Sequence, residues 1–172
     1  ISSIPSLNGV RAGIYADAQP ENPTHEMTAD NVVTHRGSMW SNPPDILLTN
    51  YKMLDYLLLR GRDKPLWERN DPESLRFLVV DEMHTFDGAQ GADLALLLRR
   101  LKFRLNTPKG HLICVGSSAT LGSGDEAATE LRHYAETIFG EPFDAGAVVR
   151  ETRKTPNEVF GDPEYLDIPD PA

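Results

Sequence analysis

The chain has 172 residues, of which 40% are hydrophobic and 25% are charged, a composition that fits a folded globular domain and excludes a disordered chain, a collagen or a coiled-coil rod. Seventeen basic and 26 acidic residues give a net charge of −9, so nucleic acid could be bound only through a local patch or through other segments. A single cysteine, Cys114, excludes an internal disulfide framework and disfavours a cysteine-based zinc site.

The first 44 residues carry few signals of regular structure. Residues 10–15 form a short apolar patch, which predicts a strand broken at Gly13. Residues 17–44 are polar, rich in proline, asparagine and threonine, and without periodicity. They predict a long surface loop or an insertion, so residues 1–44 are assigned as one polar leading segment.

A strand and a helix are predicted next. Residues 45–49 form an apolar run bounded by prolines and by Asn50, which is typical of a buried strand. Asn50 is a residue type that caps helices, and Gly61 is placed where a helix would end. The leucines between them follow helical spacing: Leu54, Leu57 and Leu58. Residues 62–74 are charged and predict turns.

The same alternation continues through the middle of the chain. Apolar runs predict strands at residues 75–80 and 111–116, and helical periodicity predicts helices at residues 91–105 and 125–139. Beyond residue 140 the chain becomes rich in proline, glycine and acidic residues. We therefore assign residues 45–140 as the main domain and residues 141–172 as a linker or extension, with one short strand at 147–149.

Alternating strands and helices predict an α/β fold with a parallel sheet flanked by helices. The nearly continuous apolar runs indicate strands that are buried on both faces. Ligands of such sheets bind beyond the carboxyl ends of the strands. Polar residues follow all three of these strands: Thr49 and Asn50, Asp81 and Glu82, and the segment 117–120. We expect these strand ends to converge on one site.

Asp81 and Glu82 offer the chemistry for a hydrolytic site. One carboxylate could hold Mg²⁺, directly or through water, because hard cations prefer oxygen ligands. The other could orient or deprotonate an attacking water. The plainer interpretation is that both simply face solvent at the end of a strand. His84 favours the site, because its imidazole could hydrogen-bond a hydroxyl on the neighbouring strand end, for which Ser118 is the candidate.

Three segments resemble superfamily 2 helicases. D-E-M-H at residues 81–84 looks like their motif II, the Walker B element in its D-E-x-H form, and Ser118-Ala119-Thr120 looks like motif III, although small hydroxyl residues also occur in ordinary turns. D-I-L-L-T-N at residues 45–50 is similar to the strand and turn that precede motif II. The longer string at residues 81–101 resembles the large ATP-dependent helicases related to Lhr and to YprA-type repair helicases.

The resemblance implies part of a RecA-like motor lobe and a set of roles. Asp81 would hold Mg²⁺ on the phosphates of ATP through water, and Glu82 would position the hydrolytic water as general base. Five further residues would either couple hydrolysis to the binding of DNA or RNA or contact its backbone directly. His84 and Ser118 would couple hydrolysis to nucleic-acid binding, and Thr120 would support that link. Thr49 and Asn50 would contact a strand backbone.

One departure from the family pattern leaves alternatives open. No G-x-x-x-x-G-K-[ST] loop occurs in the 172 residues, and Gly88 and Gly91 are interpreted as a turn into a helix instead. The family places that loop before this segment and a second RecA-like lobe after it, so the piece alone should be inactive. A degenerate RecA-like module for protein contacts, or a metal-dependent hydrolase using Asp81, Glu82 and His84, is the alternative.

Other features support secondary expectations. Residues 99–104 hold the densest basic patch, which is either a solvated helix face or a contact with a neighbouring domain. Trp40 and Trp67 are expected to be packing anchors, and Cys114 a core residue. The longest apolar runs are far shorter than the roughly 18 residues that a membrane-spanning helix needs. Without a secretory signal, we expect a cytoplasmic piece of a larger protein.

Overall fold

A computed structural model describes residues 7–119, 125–150, 159 and 161. Within these residues, four short strands and four α-helices follow one another. The strands are β1 (Ala12–Tyr15), β2 (Ile46–Thr49), β3 (Phe77–Val80) and β4 (Ile113–Gly116). The helices are α1 (Arg36–Ser41), α2 (Tyr51–Leu59), α3 (Gly88–Leu105) and α4 (Asp125–Phe139). Two 3₁₀ helices cover Gly61–Leu66 and Met83–Thr85.

All strand pairing is parallel, as predicted, but the strands form two small sheets. β1 pairs with β2, and β3 pairs with β4, with Val80 opposite Gly116 at the carboxyl ends of the second pair. Among the described residues no strand joins the two pairs into the single sheet that we expected. Strand patterns identify segments that pair, whereas the choice of partner depends on contacts that are distant in sequence.

The expectation that the strands are buried on both faces is wrong for the described part of the chain. Phe77 and Val79 on β3 are 63% and 66% exposed, and their register partners Ile113 and Val115 on β4 are exposed as well. The opposite face of the same sheet packs against α3 and α4. A continuous apolar run indicates that its side chains favour burial, but not what covers them. In the described part of the chain, helices cover only one face of this sheet.

Helices α2, α3 and α4 bury the apolar stripes that the sequence predicts. One cluster joins Val80 of β3 to residues of α3 and α4: Leu94, Ala95, Leu98, Ala135, Ile138 and Phe139. A second joins α2 to α3 through Leu54, Leu97, Leu101 and Leu105. Helix α4 has the predicted bounds, whereas α3 begins at Gly88 and not at Gly91.

Residues 17–44 are more ordered than a surface loop. Val33 and Met39 are fully buried, and α1 lies within this segment. Val33 also forms an isolated parallel bridge with Gly13, so Gly13 lies inside β1 and does not break it. A side chain at Gly13 would meet the sulfur of Met39 at 2.8 Å, which explains why the smallest residue is found there.

A buried carboxylate connects this segment to the rest of the fold. Asp63 has no solvent exposure, and its Oδ1 accepts hydrogen bonds from Tyr15 Oη at 2.6 Å and from Trp40 Nε1 at 3.1 Å. Arg60 Nε lies 3.1 Å from Oδ2. Burial, together with the hydrogen bond to Asp63, raises the pKa of Tyr15. We call these four side chains the Asp63 junction.

Several predicted boundaries move. Helix α2 ends at Leu59, and Gly61 opens a 3₁₀ helix in the stretch that was predicted as turns. The expected strand at residues 147–149 is wrong, because these described residues have no regular structure. Trp67 anchors packing as expected, donating from Nε1 to the Leu57 carbonyl at 3.1 Å. None of the described helices is long and apolar enough to cross a membrane.

Candidate active site at the ends of β3 and β4

The ends of β3 and β4 are joined through their backbones. Val80 and Gly116 are register partners, so Asp81 and Ser117 are the first residues beyond the paired strands. Ser117 N donates to the Val80 carbonyl at 3.0 Å, and Met83 N donates to the Ser117 carbonyl at 2.8 Å. The structure thereby confirms that motif II and the segment before motif III meet at one edge of a sheet.

The Asp81 carboxylate is held through one of its two oxygens. Oδ1 accepts a hydrogen bond from the Ser117 hydroxyl and lies 3.2 Å from the backbone N of Glu82. Oδ2 accepts no hydrogen bond from the described residues. The side chain is exposed, so one carboxylate oxygen is fixed while the other remains available to a ligand from solvent.

Glu82 has a left-handed backbone, with φ 52° and ψ 44°. Residues other than glycine adopt this conformation uncommonly, so surrounding contacts must stabilise it. Here the Glu82 N–H donates to Ser117 Oγ at 3.0 Å. The Asp81 carboxylate contacts Ser117, whereas the Glu82 carboxylate lies 3.3 Å from His84 Nδ1, so the two carboxylates have different neighbours.

His84 lies between the two strand ends. Its Nδ1 is 3.3 Å from Glu82 Oε2 and 3.3 Å from the backbone N of Ala119. A neutral Nδ1 with a free lone pair accepts from Ala119, whereas a protonated Nδ1 donates to Glu82. The predicted hydrogen bond from His84 to the Ser118 hydroxyl is therefore wrong, since Ala119 supplies the partner from its main chain.

Ser118 takes a different position from the one expected. Its Oγ is buried and has no hydrogen-bond partner among the described residues. The hydroxyl that contacts motif II belongs to Ser117, one residue earlier, because the strand register brings position 117 opposite position 81. Thr120, the other predicted coupling residue, lies outside the described residues.

The loop after motif II is fixed from the side of α4. Tyr134 Oη donates to the Phe86 carbonyl and lies 3.3 Å from the Met83 carbonyl. Burial, with a smaller contribution from Asp87, raises the pKa of Tyr134, so its phenol stays a proton donor well above neutral pH. The Met83 side chain also occupies the space where a Cβ of Gly116 would lie.

Thr49 and Asn50 end a strand of the other sheet. The Thr49 hydroxyl donates to the Tyr15 carbonyl at 2.8 Å, and Asn50 Oδ1 accepts from Met53 N at 2.8 Å as the cap of α2. Hydrogen bonds thus join two of the three predicted strand ends, those of β3 and β4. The third, at the end of β2, belongs to the other sheet. Both side chains are exposed.

The residues at this site suit a Mg²⁺ ion held by one or two carboxylates better than a metal held entirely by protein ligands. Within the described ranges no three histidine, cysteine or acidic side chains are grouped to hold a metal, so the metal-dependent hydrolase alternative finds no support. Mg²⁺ usually keeps several waters and binds through one or two carboxylates plus substrate phosphates. The available oxygen of Asp81 fits that requirement.

Other residues that the sequence analysis discussed, in the basic patch and at Cys114, form ion pairs or are partly buried. Arg100 pairs with Asp55, and Lys102 is largely buried against Glu141 at 2.6 Å, so the basic patch is partly neutralised by the protein itself. Burial raises the pKa of Cys114 to about 11. Its thiol is therefore a poor nucleophile near neutral pH.

Ser117 and Tyr134 are the site residues that the sequence analysis missed. Ser117 could have been found by aligning the ends of the two predicted strands, because the first residue after each one lies opposite the other. Tyr134 had no comparable signal, since its contact spans 48 residues of sequence.

Comparisons with known proteins agree with one another. The sequence profile of the DEAD/DEAH box helicase family matches residues 19–128. The chain is 37% identical over 117 residues to the Druantia protein DruE of Escherichia coli, covering 63% of this chain and 6% of that protein. It is 34% identical over 113 residues to an Lhr helicase/probable uracil glycosylase of Mycolicibacterium smegmatis, covering 65% and 7%.

Two further matches are a curated helicase and a solved helicase structure. An ATP-dependent helicase of Methanocaldococcus jannaschii is 30% identical over 118 residues, covering 69% of this chain and 16% of that protein. A solved structure of Mycobacterium smegmatis Lhr bound to ssDNA and AMP-PNP aligns with a TM-score of 0.48 at 30% identity, covering 70% and 13%. The chain spans less than a fifth of the length of these relatives.

Proposed function

The chain belongs to the DEAD/DEAH box helicase family, and from this premise we propose that it forms the part of an ATP-dependent DNA or RNA helicase motor that holds the hydrolytic carboxylates. The observation that carries the proposal is the contact of Asp81 and Glu82 with Ser117 at the paired ends of β3 and β4. Phosphoryl transfer depends mainly on positioning and charge neutralisation, so a small set of well-held groups is sufficient.

Asp81 and Glu82 have separate roles in this proposal. Mg²⁺, when bound, would neutralise charge on the phosphates of ATP, and Asp81 would hold it through water. Glu82 would orient the attacking water and accept its proton. The different neighbours of the two carboxylates, Ser117 for Asp81 and His84 for Glu82, support separate roles.

His84, Ser118 and Thr120 are proposed to couple hydrolysis to nucleic-acid binding. Support comes from His84, whose Nδ1 has the same distance to Glu82 Oε2 and to the Ala119 backbone. A shift of the segment after β4 would change the partner of His84 and hence the surroundings of Glu82. Closure of the motor would in this way change the surroundings of the hydrolytic water.

Thr49 and Asn50 are proposed to contact a nucleic-acid backbone. Phosphate oxygens accept hydrogen bonds, and the proton of the Thr49 hydroxyl is donated to the Tyr15 carbonyl. Contact through Thr49 therefore requires its hydroxyl to turn away from Tyr15. The Asn50 amide nitrogen and the first N–H groups of α2 are donors that remain compatible with the observed cap.

The phosphate-binding loop and a second RecA-like lobe are proposed to come from other parts of the same polypeptide. The apolar face formed by Phe77, Val79, Ile113 and Val115 supports this, because exposed apolar faces of this kind favour a covering layer. Within the 172 residues no G-x-x-x-x-G-K-[ST] loop occurs that could cradle phosphates. The ATPase activity is accordingly proposed for the full-length protein.

The test is ATP hydrolysis by the full-length protein with and without single-stranded DNA or RNA. Glu82→Gln should leave ATP binding largely intact and reduce hydrolysis at least about a hundredfold, as removal of a positioned general base does. Glu130→Gln, at an exposed position on α4, is the matched control and should hydrolyse ATP normally. Wild-type hydrolysis by the Glu82 variant would refute the assignment of motif II, and the better stimulant would identify the preferred nucleic acid.

A further inference from the structure

Ser117 contacts motif II and the residues beside it through both its side chain and its backbone. Its hydroxyl donates to Asp81 Oδ1 and accepts from the Glu82 N–H at 3.0 Å. Its backbone N and carbonyl bond Val80 and Met83, at 3.0 and 2.8 Å. One residue thus contacts the strand end, the Asp81 carboxylate, the Glu82 backbone and the start of the following loop.

The side-chain and backbone contacts of Ser117 have different consequences. The backbone bonds extend the β3–β4 ladder by one step and would persist with any side chain. The hydroxyl alone connects to the groups that carry the chemistry. A hydrogen bond to an ionised carboxylate is stronger than one between neutral groups, so loss of the hydroxyl should chiefly affect Asp81.

We propose that Ser117 is a positioning residue of the ATPase site, which orients the Asp81 carboxylate for Mg²⁺ and stabilises the left-handed backbone of Glu82. This inference rests on the proposed function. The Ser117 hydroxyl occupies Oδ1 of Asp81 and leaves Oδ2 without a protein donor among the described residues. A carboxylate that is fixed through one oxygen presents the other in a constant direction, which favours a cation that needs near-ideal octahedral geometry.

Glu82 is held by Ser117 through its backbone N–H. Its φ of 52° is uncommon for a residue with a side chain, and its N–H is shared between Ser117 Oγ at 3.0 Å and Asp81 Oδ1 at 3.2 Å. Without the Ser117 hydroxyl, the turn loses a compensating contact and Glu82 gains freedom to leave its position. Ser117 would therefore affect both the cation and the water, each through a different carboxylate.

The experiment compares Ser117→Ala, Ser117→Cys and Ser117→Thr in the full-length protein. A fluorescent non-hydrolysable ATP analogue is titrated with and without Mg²⁺, and the Mg²⁺ concentration for half-maximal binding is measured. Loss of a hydrogen bond to a charged group predicts an increase of about tenfold for Ser117→Ala. Ser117→Cys, with its weak donor, should be intermediate, and Ser117→Thr should remain within about twofold of wild type because the hydroxyl is retained.

Affinity for the analogue without Mg²⁺ separates positioning from general damage. It should be unchanged in all three variants, and Thr137→Ala, which removes an exposed hydroxyl bonded to its own helix, should leave every value unchanged. Equal Mg²⁺ dependence in wild type and Ser117→Ala would overturn the inference, as would equal loss of Mg²⁺-free and Mg²⁺-dependent binding. If wild type hydrolyses ATP and only the Ser117 effect is missing, the proposed function stands; if wild type binds no nucleotide, both fail.

Discussion

Asp63 is a carboxylate without solvent contact that connects residues far apart in sequence. Its partners belong to β1, to α1 and to the end of α2, with separations of up to 48 residues. Tyr15, one of those partners, also presents the carbonyl that holds the Thr49 hydroxyl. The Asp63 junction therefore lies directly behind the turn that we propose to contact nucleic acid.

Asp63→Ala should destabilise the fold by about 1–3 kcal/mol, because it leaves the buried Tyr15 hydroxyl and the half-buried side chains of Trp40 and Arg60 without their partner. Asp63→Asn should cost less, since its amide oxygen still accepts from Tyr15 and Trp40. The measurement is amide hydrogen exchange of peptides from residues 12–63 in the full-length protein. Asp93→Ala, at an exposed position on α3, is the control; equal exchange in the Asp63 and Asp93 variants would contradict the structural role of the junction.

At the scale of elements, the loop that follows motif II is held between α3 and α4. Gly91 lies one turn into α3, where an added Cβ would be 2.7 Å from the Phe86 carbonyl oxygen. The same carbonyl accepts the hydroxyl of Tyr134 from α4. The close approach of the loop to α3 thus depends on a residue without a side chain, and the helix tolerates its low helical propensity for that reason.

Gly91→Ala should destabilise the protein by about 1–3 kcal/mol through overpacking, although alanine is favoured over glycine by about 1 kcal/mol in an open helix. Thermal unfolding of the full-length protein gives the sign directly. Gln90→Ala, at the exposed preceding residue, serves as the comparison and should change stability by less than about 0.5 kcal/mol. A stabilised Gly91 variant would show that the loop does not pack as described.

Periodicity was sufficient to predict α2, α3 and α4, because their apolar positions repeat at helical spacing, but it did not predict the six-residue α1. It also identified β3 and β4, whose ends carry Asp81 and the segment before motif III. It could not predict the packing of residues 17–44, since Val33 and Met39 belong only to short apolar pairs in a polar stretch and are buried by residues distant in sequence, Tyr15, Met53, Leu57 and Leu66. The choice of Ser117 over Ser118 required the ends of the two predicted strands to be aligned with each other, which the pattern of either strand alone does not do.

At the scale of the whole molecule, the described chain leaves one face of the β3–β4 sheet exposed. Two rungs of apolar pairs, Phe77 with Ile113 and Val79 with Val115, form this face. The β1–β2 sheet likewise exposes Ile14, Ile46 and Leu48. If further parts of the polypeptide cover these faces, as we propose, substitutions there should behave as core substitutions in the full-length protein.

Val79→Ser should then lower the stability of the full-length protein by about 2–3 kcal/mol, the cost of removing buried apolar atoms and burying a hydroxyl. Val149→Ser is a matched control, because Val149 is 89% exposed and lies outside any sheet. Thermal unfolding, followed for both variants, provides the comparison. Equal and small effects would mean that the β3–β4 face remains open to solvent in the intact protein.

The Asp63 junction also has an evolutionary consequence. It anchors the segment 17–44 at Trp40 and beside Tyr15, while most residues between positions 16 and 31 are exposed. Insertions and deletions between such fixed points cost little, because loop-closure entropy grows slowly with length. Homologous chains should therefore differ in the length of this stretch, and should keep or lose Tyr15, Trp40 and Asp63 as a unit.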